Sequence, residues 1–157
     1  MLKRIELSVL VICSFTIIFF GATTLSLAQK ETEKKHASLP HDAIDIAIDT
    51  RCNLYTACRG TGHVFCIPPN SEAILLGRIP ESPTVLTVDS LRNVFVGSEN
   101  GGIYLITQDG NLNEICRIDK KPIGLELDRD GTLLIGTSHG RIIRVTRSEL
   151  LRTQGKN

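Results

Sequence analysis

From residue 43 onward the chain is a succession of short apolar-rich runs separated by Asp, Asn, Gly and Ser. Alternation within the runs is the period of a strand with a buried face, and clusters of turn formers bound each run. The pattern predicts strands over 44–48, 53–58, 63–67 and 73–79, over 85–88, 93–97, 103–107 and 112–118, and over 125–127, 132–136 and 141–146. Glu-Asn-Gly-Gly at 99–102 and Asp109-Gly110 read as turns. After Arg147 the sequence SELLRTQGKN offers only Leu150-Leu151 toward an outer strand.

The runs repeat. Residues 83–107 align with 122–146 without a gap at an offset of 39. Pro83 falls on Pro122, Leu86 on Leu125, Asp89 on Asp128, Gly97 on Gly136, Gly101 on Gly140 and Thr107 on Thr146. A weaker copy precedes them at an offset of 40, with Asp49 on Asp89, Asn53 on Asn93, Tyr55 on Phe95 and Gly62 on Gly102. Four short strands in about 40 residues is the anatomy of a β-propeller blade. A parallel β-helix has shorter repeats, and the Leu/Asn ladder of a leucine-rich repeat is absent. The fold expected is therefore all-β: tandem four-stranded antiparallel blades of a β-propeller, about three in number, at 43–82, 83–121 and 122–147, with a tail at 148–157. Propellers close with about four to eight blades. Three arrangements meet that requirement: a piece of a longer propeller, several chains closing a ring by self-association, or an open array capped by another protein.

The repeated residues have structural readings. Asp49, Asp89 and Asp128 end an inner strand, where a carboxylate accepts backbone N–H groups of the following turn. Gly101, Gly102 and Gly140 are expected to supply positive φ in the hairpin turns, and Gly97 and Gly136 to lie where blades crowd together. Arg78 and Arg117 end matching strands and are expected to stack or pair at the surface.

Three stretches carry a family resemblance: Pro122-Ile123-Gly124-Leu125-Glu126-Leu127-Asp128, Gly131-Thr132-Leu133-Leu134-Ile135-Gly136 and Gly140-Arg141-Ile142-Ile143-Arg144-Val145. Over residues 43–146 the pattern resembles the propellers of the NHL-repeat and senescence-marker-protein/gluconolactonase group. That resemblance implies a propeller, and in its lactonase branch a hydrolase with a divalent cation in the central channel. The cation's ligands there include an Asn or Asp just before the Gly that opens an inner strand, and a Glu from another blade. In this chain those positions hold Thr84 and Ile123, neither of which offers a carboxylate or amide oxygen, and the Gly survives only as Gly124. No metal ligand and no cofactor is therefore assigned; a divalent cation belongs only to the alternative of a partial gluconolactonase-like hydrolase. A metal-free, strictosidine-synthase-like hydrolase is the other form of that alternative.

Composition removes some function classes. The net charge is +1, aromatic residues make up 4% and Trp is absent, which argues against a nucleic-acid partner or an aromatic binding platform. Arg141, Arg144 and Arg147 do not form one stripe, because successive strand side chains alternate faces. Residues 1–28 stand apart: Lys3 and Arg4, an apolar run over 7–20, then a small polar stretch ending Ser26-Leu27-Ala28. This is the layout of a secretory signal peptide. An uncleaved anchor over 5–28 is the rival reading, since the extended run reaches about the 20 residues a spanning helix needs. Residues 29–42 are charged and read as a linker. Export to a secreted, periplasmic or extracytoplasmic location follows, with membrane attachment only if the segment stays uncleaved. Cys52, Cys58, Cys66 and Cys116 fit no zinc or redox spacing, and are expected to be mostly free, buried thiols.

The hairpin turns differ between copies: Arg59-Gly60-Thr61-Gly62, Glu99-Asn100-Gly101-Gly102 and Ser138-His139-Gly140-Arg141. Loops on a rigid scaffold carry binding residues. Arg59, Glu99, Asn100, Ser138 and His139 are the candidate ligand-binding residues, converging on one face toward a protein or small-molecule partner. Ser138 and His139 invite a nucleophile and base reading, but neighbours in a tight turn rarely point at each other and no acid orients this His. No catalytic residue is assigned. A non-catalytic binding or interaction scaffold is the function expected.

Overall fold

The computed structural model describes residues 38–154; the signal segment or anchor at 1–28, and the linker as far as residue 37, lie outside the described residues. The alternating runs form β1 (Ala43–Ile48), β2 (Leu54–Cys58), β3 (His63–Ile67), β4 (Ile74–Arg78), β5 (Pro83–Val88), β6 (Val94–Ser98), β7 (Gly102–Ile106), β8 (Leu112–Arg117), β9 (Pro122–Leu127), β10 (Leu133–Thr137) and β11 (Ile142–Val145). A helix, α1 (Arg147–Gln154), follows. Consecutive strands pair antiparallel into sheets β1-β2-β3-β4, β5-β6-β7-β8 and β9-β10-β11, called blades 1, 2 and 3 below. This is propeller-blade architecture, with three strands in blade 3 among the described residues.

Each blade has two faces, because successive side chains on a strand point opposite ways. The face toward the next blade is here the forward face, and the other the back face. Tyr55, Ala57 and Val64 on the forward face of blade 1 pack against Leu86, Val94, Val96, Tyr104 and Ile106 of blade 2. Val85, Phe95, Ile103 and Leu105 on the forward face of blade 2 pack against Leu125, Leu133 and Ile135 of blade 3. The core thus consists of two inter-blade layers. Each fully buried side chain of this kind contributes about 1.5–3 kcal/mol.

Gly97 is small because blades meet there: a Cβ would lie 2.6 Å from Pro122 Cγ and 2.9 Å from Val85 Cγ1. Gly136 departs from the expectation, since a Cβ there meets nothing closer than 3.9 Å. Gly102 departs as well. The positive φ belongs to its neighbour Gly101 (φ 85), and Gly102 instead leaves room for the Tyr104 ring.

The segment after β11 is not an outer strand. Thr146-x-x-Glu149 is a capping box: Glu149 Oε2 accepts from the Thr146 backbone N–H at 2.8 Å and the Thr146 hydroxyl at 2.7 Å. The helix so started packs on β8 of blade 2 and buries Leu150 in the second core layer. There Leu150 shares a buried cluster with Ile115 and Phe95, which removes its side chain from water.

Candidate functional site

The strand ends define two sets of turns. The β1–β2, β5–β6 and β9–β10 turns are held by carboxylates, as expected. Asp49 Oδ1 accepts from the backbone N–H groups of Arg51 and Asn53 at 2.8 and 2.9 Å, and its Oδ2 from Asn53 Nδ2 and the Tyr55 hydroxyl. Asp89 repeats this with Leu91 and Asn93. In blade 3 the work is divided: Asp128 takes the Arg129 N–H, and Asp130 takes the Thr132 N–H. Burial pushes the Asp49 carboxyl up, but the bonds from Asn53, Arg51 and Tyr55 outweigh it and hold the group below its ordinary value. Burial first, then the Asp49 bond, raises the Tyr55 phenol. These aspartates are occupied as turn locks.

The turns at the other strand ends carry the sequence-derived candidates, and one backbone bond recurs there. Arg59 N–H donates to Asp42 O at 3.0 Å, Glu99 N–H to Ser82 O at 2.9 Å and Ser138 N–H to Lys121 O at 3.0 Å. Each β2–β3-type turn is thus tied to the connector leading into its own blade's first strand. Two of those connectors also reach a neighbouring turn: Gly60 N–H meets Ser82 Oγ at 3.4 Å, and Lys121 Nζ lies 3.9 Å from Glu99. Glu99 and Ser138 therefore share Lys121. Asn100 offers its carbonyl to Arg117 at 3.1 Å, and Arg59 is exposed beside Asp42.

Ser138 Oγ and His139 Nδ1 lie 3.1 Å apart, so these turn neighbours do meet, contrary to the expectation. Both are exposed, and no described carboxylate bonds to His139. The pair lacks the orienting acid and the dry surroundings that activate a serine.

Sequence reasoning paired Arg117 with the surface but missed what it holds. Arg117 bonds Glu81 at 2.9 Å, Glu114 at 2.9 Å and the Tyr104 hydroxyl at 3.1 Å, and Ser98 donates to the other Glu81 oxygen. Glu81 sits in the β4–β5 connector, so the cluster fastens blade 2 to its entry segment. Burial pushes the Glu81 carboxyl up; the Ser98 and Arg117 bonds prevail and hold it below its ordinary value. Burial raises the Tyr104 phenol. Ser98 is wholly buried, which makes it a structural donor and not a nucleophile. In blade 1 the matching Arg78 donates to Thr61 O at 2.8 Å, and among the described residues the His41, His63 and Phe65 rings contact one another nearby.

At the aspartate end, a cleft of about 520 Å³ opens between blades 2 and 3. Phe95, Leu105, Leu127 and Leu150 make its floor, and Asp89, Asp128, Arg129 and Arg147 its rim. None of the five candidate residues lines it. The positions that would feed a lactonase-type cation do not fit one. Thr84 Oγ1 is bonded to the Pro122 and Gly97 carbonyls at 2.7 and 3.2 Å, and Ile123 is aliphatic. Among the described residues no three His, Cys, Asp or Glu are grouped to hold a metal ion. Cys52, Cys58, Cys66 and Cys116 are free; Cys58 is buried, but Cys52 is exposed at a left-handed turn position (φ 63). Burial raises the thiols of Cys58, Cys66 and Cys116.

No protein-family model and no curated protein matches this chain. Solved structures match in fold. A catalytically inactive virginiamycin B lyase from Staphylococcus aureus with quinupristin is 17% identical, with a TM-score of 0.54 over 69% of this chain and 43% of that one. YCF48 bound to D1 peptide is 7% identical, with a TM-score of 0.60 over 71% of this chain and 39% of that one. A gluconolactonase from Xanthomonas campestris is 14% identical, with a TM-score of 0.54 over 69% of this chain and 40% of that one. The chain spans about two fifths of the length of each. The described blades are β-propeller repeats, and propellers of this kind include both enzymes and binding proteins.

Proposed function

We propose that this chain is an exported, non-catalytic binding scaffold that meets a protein partner with its 59–62, 99–102 and 138–141 turns. One observation carries the reading. The three turns are anchored by the same backbone bond, to Asp42, Ser82 and Lys121, while their exposed side chains differ from blade to blade. A fixed frame with variable tips is the arrangement by which rigid scaffolds recognise partners. A propeller of like fold that is bound to a peptide is consistent with a protein partner.

Peptides selected against the full chain from a random displayed library test this. Alanine at Arg59, Glu99, Asn100, Ser138 and His139, one at a time, is expected to weaken the selected peptide at least about tenfold at two or more positions, the size of an ordinary hot-spot loss. Unchanged affinity in all five variants would remove the turn face from consideration. The Ser138–His139 contact favours a second reading, a lactone or ester hydrolase. Turnover of an aryl ester or sugar lactone by the purified chain, with and without calcium or zinc, that disappears in Ser138→Ala would support it; a flat assay would retire it.

A further inference from the structure

The cleft between blades 2 and 3 lies at the aspartate-locked strand ends, away from the proposed partner turns, and none of the five candidate residues lines it. Its volume of about 520 Å³ is that of a small-molecule site. Leu91 is 66% exposed at its mouth, Val88 and Leu127 are half-buried, and Phe95, Leu105 and Leu150 lie buried beneath.

Comparison of the repeat copies shows what sets this cleft apart. Blades 1 and 2 close their first turns with an Asp and an Asn. Both oxygens of Asp49 are taken up by Arg51, Asn53 and Tyr55, and both of Asp89 by Leu91 and Asn93. At the offset of 39, Asn93 becomes Thr132. Asp128 Oδ1 accepts from the Arg129 N–H, and among the described residues no donor meets its Oδ2. A second exchange lies beside the first. Blade 2 bonds Arg92 to Gln108, and the same two positions in blade 3 hold Gly131 and Arg147. A Cβ on Gly131 would lie 3.3 Å from Arg147 Cδ, so the arginine stem runs over the glycine. Among the described residues neither Arg147 nor Arg129 makes an ion pair. Asp130, also on the rim, accepts from the Thr132 N–H. Blade 3 thus leaves one carboxylate oxygen and two guanidiniums open around an apolar cleft.

We propose that this cleft binds a small zwitterion with an apolar body, of the class of an α-amino acid with a large apolar side chain. The ligand carboxylate meets the guanidiniums of Arg129 and Arg147, whose planar N–H forks match a carboxylate. Its ammonium group meets the open oxygen of Asp128. Its side chain covers Leu91, Val88 and Leu127 and takes that apolar surface out of water. A purely anionic amphiphile would set its charge against Asp128, and a purely cationic one would set its charge against both arginines. The mixed charge of the mouth favours a ligand that carries both signs.

Titration calorimetry of the full chain with three probes tests the proposal. The probes are L-phenylalanine, N-acetyl-L-phenylalanine, which lacks the ammonium, and L-phenylalanine amide, which lacks the carboxylate. Phenylalanine is expected to bind saturably, and each blocked probe at least about tenfold more weakly. Asp128→Asn keeps the oxygen that takes the Arg129 N–H. It is expected to weaken phenylalanine about tenfold and to leave the N-acetyl probe unchanged. Arg129→Gln combined with Arg147→Gln is expected to weaken phenylalanine as much and to leave the amide probe unchanged. All three substituted residues are exposed, so the fold is expected to persist by circular dichroism. His139→Ala is expected to change none of these affinities, which separates this cleft from the proposed partner turns. Absence of saturable phenylalanine binding would overturn the proposal. So would equal affinity for the three probes, or phenylalanine binding indifferent to the cleft variants.

Discussion

Gly97 and Gly136 are the same residue at the same place in two consecutive blades, yet their surroundings make them unequal. A methyl group on Gly97 would collide with the Pro122 ring and Val85. Gly97→Ala is expected to destabilise the chain by about 1–3 kcal/mol, the usual cost of overpacking, and Gly136→Ala to have little effect. Urea unfolding of the two variants side by side measures the difference. Glu81 makes a second prediction at this scale. Its folded pKa lies below the ordinary value because Ser98 and Arg117 bonds overcome burial. A depressed carboxylate contributes stability that is present above its unfolded pKa, about 4.3, and is lost as pH falls through the lower folded value. Glu81→Gln is therefore expected to flatten the acid side of the stability profile below about pH 4, measured as unfolding midpoint against pH.

The turn after each blade's first strand is one element built three times with different residues. Its fourth position takes a left-handed φ: 63° at Cys52, 68° at Arg92 and 82° at Gly131. Only blade 3 uses glycine there. Cys52→Gly is expected to stabilise the chain by about 1 kcal/mol, because an L side chain is strained in that conformation. A fall in the thermal midpoint would show that the Cys52 side chain has a compensating contact. Helix α1 depends on the Thr146–Glu149 box, and Glu149→Ala is expected to cost about 1 kcal/mol of helix stability and to loosen Leu150 over Ile115. Amide exchange across 147–154 reads this directly.

At the scale of the molecule, one layer joins blade 1 to blade 2 and the other joins blade 2 to blade 3, as in other linear repeat arrays. Leu105 lies in the second layer alone. Leu105→Ala is expected to remove about 2–5 kcal/mol and to expose blade 3 amides to exchange ahead of those in blade 1. Equal loss of protection in both blades would mean that the array unfolds as one cooperative body.

By itself the sequence determined the strands, their grouping into blades and the aspartate-locked turns, because these rest on local physics: two-residue alternation, turn formers at fixed offsets and a repeat near 40 residues. Sequence reading missed α1 because it weighed Leu150-Leu151 as strand and passed over the Thr146-x-x-Glu149 cap. It mistook the reason for Gly102, whose role is set by the Tyr104 ring folding back over it. It also missed the Glu81–Ser98–Tyr104–Arg117 cluster, whose members are spread over 81–117 and meet only when the β4–β5 connector lies against β6, β7 and β8. The candidate turns were legible as variable loops, and their shared anchoring to Asp42, Ser82 and Lys121 was not. Tertiary structure alone decided which blade faces are covered, because burial belongs to pairs of sheets and no single stretch of chain carries it.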